Sequence, residues 1–154
     1  MPATALDPVE SFNALQGRWS SVYQEIDGQM ASHAENVSEV MEFQGNEFKV
    51  EKSGRAEYEG TFTISGLTSP FSMVLIYRTS PQPLFLGGPR PGVFQVEGDT
   101  FKCCFGSIGQ PRPTALNTFP GSESVLTIFQ RHHPGGQPAA QPRAASVLHG
   151  AVLW

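Results

Sequence analysis

Two cysteines in a chain of 154 residues, and those two adjacent, leave this sequence without the means to close an ordinary disulfide loop. Cys103 and Cys104 can pair only as a strained vicinal bridge, so both are expected to be reduced. On a strand their side chains point to opposite faces, and at most one faces an interior. No apolar run is long enough to span a bilayer, and Met1 to Asp7 has neither the basic nor the apolar region of a secretory leader. These absences predict a cytoplasmic protein with no membrane partner. A basic face is missing as well: Lys and Arg number 10 against 14 Asp and Glu, for a net charge of −4, which argues against a nucleic-acid partner. His132-His133 has no further ligands nearby and His33 stands alone, so no metal site and no other cofactor is predicted. Cys103 has no histidine in its strand to activate it and reads as a structural thiol. No internal repeat is evident.

What the sequence has in quantity is Gly (16), Pro (13) and Phe (11), a composition that favours many short strands joined by turns. A chain of this length buries a core without staples. Asp7-Pro8-Val9-Glu10 supplies a capping residue, a proline at the first helical position and a glutamate at the third, with Phe12 and Leu15 at helical spacing. A short helix is predicted there, ended by Gly17 in a left-handed conformation. Strands are expected at Arg18 to Ile26, Val37 to Phe43, Glu47 to Glu51, Glu57 to Ile64 and Phe71 to Tyr77, with turns at Asp27-Gly28, Gln44-Gly45-Asn46 and Lys52 to Arg55. Phe71 to Tyr77 is apolar on both faces. Its outer side, Val74 and Ile76, should therefore be covered by the helix, the tail or a second subunit. Ser80 to Pro91 holds four prolines and two glycines around Leu84-Phe85-Leu86, which reads as a lid-like loop or a distorted edge strand.

The C-terminal part of the pattern is the most telling. Val93 to Val96 leads through Glu97-Gly98-Asp99 into Thr100 to Phe105; a long connection follows, carrying Pro111-Arg112-Pro113 and Pro120-Gly121, and then an apolar strand from Ser124 to Arg131. A hairpin, a stiff loop and a returning strand suit an antiparallel meander closing on its own first strand. The fold class is all-β: an up-and-down β-barrel of roughly eight strands with a short N-terminal helix and a C-terminal tail, its interior just wide enough for side chains or one small ligand. Residues 1–133 are expected to form the barrel domain. Residues 134–154 form a Pro/Gly/Ala-rich linker and an apolar segment, Val147 to Trp154, that docks on its own barrel or on a neighbour's to give a homodimer.

Alternation drafts the interior. If Trp19 points inward, so do Ser21, Tyr23 and Glu25, and the same phasing turns in Met41, Phe43, Phe48, Val50, Tyr58, Phe62, Ile64, Met73, Leu75, Tyr77, Phe94, Val96, Phe101, Cys103, Phe105, Val125, Thr127 and Phe129. That set describes either a barrel packed solid or an aromatic pocket with tyrosine hydroxyls as its polar points. A ligand is then expected to touch Tyr23, Phe43, Tyr58, Phe62, Met73, Tyr77, Phe94, Phe101, Cys103, Phe105 and the loop residue Arg112. It would enter between Ser80–Pro91 and Gly106–Thr118, hinged at Gly87-Gly88, Gly106 and Gly109. Arg78, Arg90 and Arg112 either ring that mouth to steer a carboxylate or keep the surface soluble.

Leu15-Gln16-Gly17-Arg18-Trp19 resembles the Gly-x-Trp opening of lipocalins and related calycins. Gly98 to Lys102, Pro111 to Thr114, Pro120 to Ser122 and Val125 to Arg131 extend the likeness to a lipocalin-like bacterial domain family of unknown function, abundant in planctomycetes. The resemblance runs from about Leu15 to Arg131; the family often has a simpler connection where this chain has Ser80 to Pro91, and nothing in it prepares for the tail after Arg131. It implies a barrel whose base is closed by Trp19 under the basic side chain of Arg131, and it implies no mechanism. The function expected is binding of a small apolar or aromatic molecule inside the barrel. A cofactor-free cyclase or isomerase, with Tyr23, Glu25, Tyr58 or Tyr77 moving a proton, is the alternative; an interaction module working through the tail is the third.

Overall fold

Asp7 caps the first helix, α1 (Pro8–Leu15), with a reciprocal capping box: its carboxylate accepts from the Glu10 amide at 2.7 Å, and Glu10 accepts from the Asp7 amide at 3.0 Å. Gly17 follows with a φ of 115°, a value open to glycine at little cost, and turns the chain from helix into strand. The computed structural model of the protein describes residues 7–30 and 39–132. His33, His133, the linker and the apolar tail lie outside these residues, and so does the expected docking of that tail.

Among the described residues nine strands form one antiparallel sheet: β1 (Gly17–Ile26), β2 (Gln29–Met30), β3 (Glu39–Gln44), β4 (Glu47–Lys52), β5 (Arg55–Ser65), β6 (Phe71–Thr79), β7 (Arg90–Glu97), β8 (Thr100–Phe105) and β9 (Val125–Arg131). Each strand from β3 to β9 pairs with its predecessor in the barrel, and β9 pairs back with β1 from Trp19↔Arg131 to Ile26↔Val125. That closes an eight-stranded barrel, with β2 a two-residue appendage at the end of β1. The expected hairpins are present at Asp27-Gly28, Gly45-Asn46 and Ser53-Gly54, where positive φ angles favour the tight two-residue turn.

The connections divide the barrel into two ends. At the base lie α1 and the Gly45-Asn46 and Gly98-Asp99 turns. At the other end, here called the mouth, lie the long connections: residues 80–89, which carry a 3₁₀ helix (Pro83–Gly87), and residues 106–124. Helix α1 closes the base, where the Phe12 ring stacks on Phe62 at 5.6 Å. It does not reach the outer face of β6, where Ile76 remains 45% exposed. Of the three covers expected for Val74 and Ile76, the helix, the tail or a second subunit, α1 is thus ruled out, because the apolar stripe of a two-turn helix is used up on the barrel base; the tail lies outside the described residues.

The interior is an aromatic core. Trp19, Phe43, Phe62, Phe94, Phe101 and Phe129 are all essentially inaccessible. Their rings touch in sequence: Trp19 to Phe101 at 5.5 Å, Phe101 to Phe129 at 5.2 Å and to Phe43 at 5.6 Å, and Phe43 to Phe62 at 4.9 Å. The lower part of the barrel is thus occupied by its own side chains. On the outer face Arg18 binds Glu42 and Glu51 at 3.2 and 3.1 Å, tying β1, β3 and β4 together across their wet side.

Candidate functional site at the barrel mouth

The base follows the expected arrangement. The Arg131 guanidinium lies 4.2 Å from the Trp19 ring centre, and its Nη1 and Nη2 donate to the carbonyls of Gln16 and Ala14 at 3.1 and 2.8 Å. Trp19 Nε1 donates to the Leu15 carbonyl at 2.8 Å. One arginine therefore satisfies carbonyls at the C-terminal end of α1, where a cation is favoured, and holds the tryptophan flat against the core.

Among the described residues, the buried charged side chains, Glu39 and Arg90, lie near the other end. Strand alternation on β7 that turns Phe94 and Val96 inward also turns in Gly92 and Arg90. Gly92 leaves room for the ring of Phe105, with which a Cβ at that position would collide. Arg90, 3% exposed, lies above that ring, its guanidinium 5.6 Å from the ring centre. Its Nε donates to the Gly106 carbonyl at 2.9 Å and its Nη1 to the Tyr77 hydroxyl at 3.0 Å, and a second ring, that of Phe85, lies 4.7 Å from the guanidinium. A buried cation is tolerated here because acceptors and ring faces replace part of its hydration. On β3, the phase that buries Met41 and Phe43 also buries Glu39. Its negative field acts on Tyr58, Tyr77 and Cys103 together.

Phe85 is the one ring of this cluster that no strand supplies. It projects from the 3₁₀ helix into the mouth and is 5% exposed, while its neighbours Leu84 and Leu86 are 63% and 49% exposed. It stacks on Tyr77 at 5.0 Å and lies 6.0 Å from Tyr58. The same segment contributes Gln82, whose Nε2 donates to the Tyr58 hydroxyl at 3.4 Å. Burial raises the pKa of both tyrosines, and Arg90 pulls part of that rise back at Tyr77. Both hydroxyls keep their protons at neutral pH and serve as hydrogen-bond donors or acceptors, with no phenolate to act as a base. Burial also pushes the Cys103 thiol well above its ordinary value, which makes it inert as a nucleophile.

Of the residues expected to meet a ligand, Tyr58, Tyr77, Cys103 and Phe105 gather around this end, while Phe43, Phe62, Met73, Phe94 and Phe101 lie inward as phased and pack the core. Tyr23 and Glu25 are corrected. A bulge between Ser21 and Tyr23 inserts one residue in β1 and reverses the alternation beyond it. Gln24 takes the inward position and donates to Thr127 Oγ1 at 3.2 Å. Tyr23 instead packs outside with Val93, Cys104, Leu116 and Leu126. Its hydroxyl donates to Glu25 at 2.8 Å, and Glu25 accepts from Thr118 at 2.7 Å, so the pair clamps the 106–124 connection to the barrel wall. Those bonds, Thr118 first, lower the Glu25 pKa, and the bond to Glu25 raises that of Tyr23. Cys104 lies under the same connection, its Sγ donating to the Asn117 carbonyl at 3.4 Å, on the opposite face from Cys103 as two adjacent strand residues must be.

The three arginines do not form a ring. Arg78 is exposed and faces Glu59 at 3.9 Å on the outer wall. Arg112 is exposed beside a surface hollow of about 210 Å³ formed by its own loop with Gln110, Asn117 and Ser124. Only Arg90 reaches the interior. Comparison of the chain with family models, with curated proteins and with solved structures gives no match.

Proposed function

We propose that this lipocalin-like barrel binds a small apolar or aromatic molecule at the mouth end of its interior, as its inward set of aromatics suggests, and works as a cytoplasmic bacterial protein. The observation that carries the reading is Phe85: the rings below it are fixed on strands, whereas this one reaches the cluster of Tyr58, Tyr77 and Arg90 from a loop. A few polar groups placed in an otherwise apolar concavity are what orient a ligand. The cyclase or isomerase reading has less support, since Tyr23 and Glu25 lie outside the barrel and the buried tyrosines retain their protons. The reading as an interaction module depends on the tail, outside the described residues.

The test is native mass spectrometry of the full-length chain purified from its own host, followed by calorimetric titration with toluene as a neutral apolar probe. A retained small molecule, or saturable toluene binding, is expected. A protein that carries nothing and binds no apolar probe sinks the proposal.

A further inference from the structure

The place that Phe85 fills has the dimensions of one ring. Tyr77 stacks on it with 28° between the planes, Tyr58 flanks it at 6.0 Å, and the Arg90 guanidinium lies over its face. Across Gly60, the ring of Phe48 meets Tyr77 edge-on at 5.2 Å, so the side of the seat is itself aromatic.

We propose that the segment 82–87, the 3₁₀ helix with the Gln82 that precedes it, is a removable plug, and that the seat it vacates takes a neutral, electron-rich, single-ring aromatic molecule of the phenol class. The inference rests on the binding reading above and names its ligand. The plug imitates such a ligand in both of its parts: Phe85 supplies a ring in stacking and cation–π contact, and Gln82 supplies a hydrogen-bonding group to the Tyr58 hydroxyl. A cation over the ring face favours electron-rich rings over saturated ones of equal size. A neutral ligand follows from what sits there now: the uncharged Phe85 ring occupies the seat under the Arg90 guanidinium, whose Nε and Nη1 already donate to the Gly106 carbonyl and the Tyr77 hydroxyl, so no counter-charge has to be brought in.

The hinge has its own argument. Gly88 is extended, with φ 164° and ψ −177°, a conformation that any residue adopts. A Cβ on Gly87 would meet nothing within 4 Å, and one on Gly88 only Ile108 at 3.7 Å. The docked state thus has no need of two glycines. What they provide is inexpensive access to other backbone conformations, as swinging the plug outward requires. Leu84 and Leu86, already at the surface, lose little burial in that movement.

The experiment titrates p-cresol, and methylcyclohexanol of the same skeleton, into the full-length protein and into Phe85→Ala. In the wild type the plug competes with the probe, so the apparent affinity is reduced by the fraction of molecules that are open. Phe85→Ala is expected to bind p-cresol about tenfold tighter than the wild type and to prefer it over methylcyclohexanol by about tenfold. Adding Arg90→Met should reduce that preference severalfold. Phe85→Leu, which keeps apolar volume, is the reserve variant if Phe85→Ala does not fold, and should tighten p-cresol binding severalfold. Equal binding of the two probes by the plug variants overturns the aromatic assignment and leaves the apolar-binding reading standing. No gain over the wild type in either plug variant overturns the plug, and absence of binding by any of the proteins, toluene included, overturns both.

Discussion

Each end of the barrel places an arginine over an aromatic ring, and the two pairs differ in where the ring comes from. At the base Trp19 belongs to β1, its indole nitrogen is bonded to the Leu15 carbonyl, and Arg131 ties it to α1 through two more carbonyls. At the mouth Phe85 belongs to a 3₁₀ helix between exposed leucines, and Arg90 is the strand residue that receives it. The same physical contact therefore serves two ends. Where both partners are held by hydrogen-bonded secondary structure, it locks; where one partner hangs on a loop with a Gly-Gly stem, it latches.

The comparison is most exposed to a pair of truncations. Trp19→Ala should cost about 3 to 5 kcal/mol, as expected for a large ring removed from a core that cannot collapse around the void. Phe85→Ala should cost less than about 2 kcal/mol, because the free energy at stake is limited to that of undocking one loop. Urea denaturation of both variants measures the difference. Equal losses would make Phe85 an ordinary core residue and dissolve the distinction.

A smaller effect is expected at Arg131. Its removal forfeits a cation–π contact of about 0.5 to 2 kcal/mol and leaves the Ala14 and Gln16 carbonyls to water. Arg131→Ala should lower the melting temperature and shift the fluorescence of Trp19. If neither changes, the base is not held as described.

The smallest effect concerns the outer clamp that holds the 106–124 connection. Glu25 has a lowered pKa, so its contribution is present above the ordinary carboxylate value of 4.5 and is lost as pH falls through the folded-state value below it. Tyr23 has a raised pKa, so its contribution is full below the ordinary value of 10.0 and is lost as pH rises through the higher folded-state value. The stability difference between wild type and Tyr23→Phe should accordingly be flat between these limits and shrink outside both. A difference that varies through neutral pH would remove the clamp.

Much of this architecture was legible in the residues. Asp7-Pro8-Val9-Glu10 writes its own capping box, and the Asp-Gly and Ser-Gly turns enforce their hairpins through backbone conformations that few other residues adopt. The alternation of aromatics on β3 to β9 placed nearly every core residue correctly. At the site the reading stopped short. Arg90 and Glu39 each continue an inward phase that had been recognised, Arg90 two steps before Gly92 and four before Phe94, Glu39 two before Met41. Pro91 had made the start of β7 look like loop, and a charged residue at a strand end is normally solvated. Extending the phase by those steps was the signal that finds them. Tyr23 and Glu25 carried no such signal, for the bulge in β1 falls at Val22 without a glycine to mark it.

Local chemistry by itself settled which segments are strands, where they turn and which faces are apolar, since caps, turn residues and period-two alternation act over a few residues. Which end of the barrel is locked and which is latched was decided by the tertiary structure. The bulge that sends Tyr23 outward depends on how β1 registers against β9, more than a hundred residues apart in the numbering of Ser20 and Gln130. The seating of Phe85 depends on a cage assembled from β5, β6 and β7. Such contacts exist only once the sheet has closed, because closure alone brings those side chains within reach of one another.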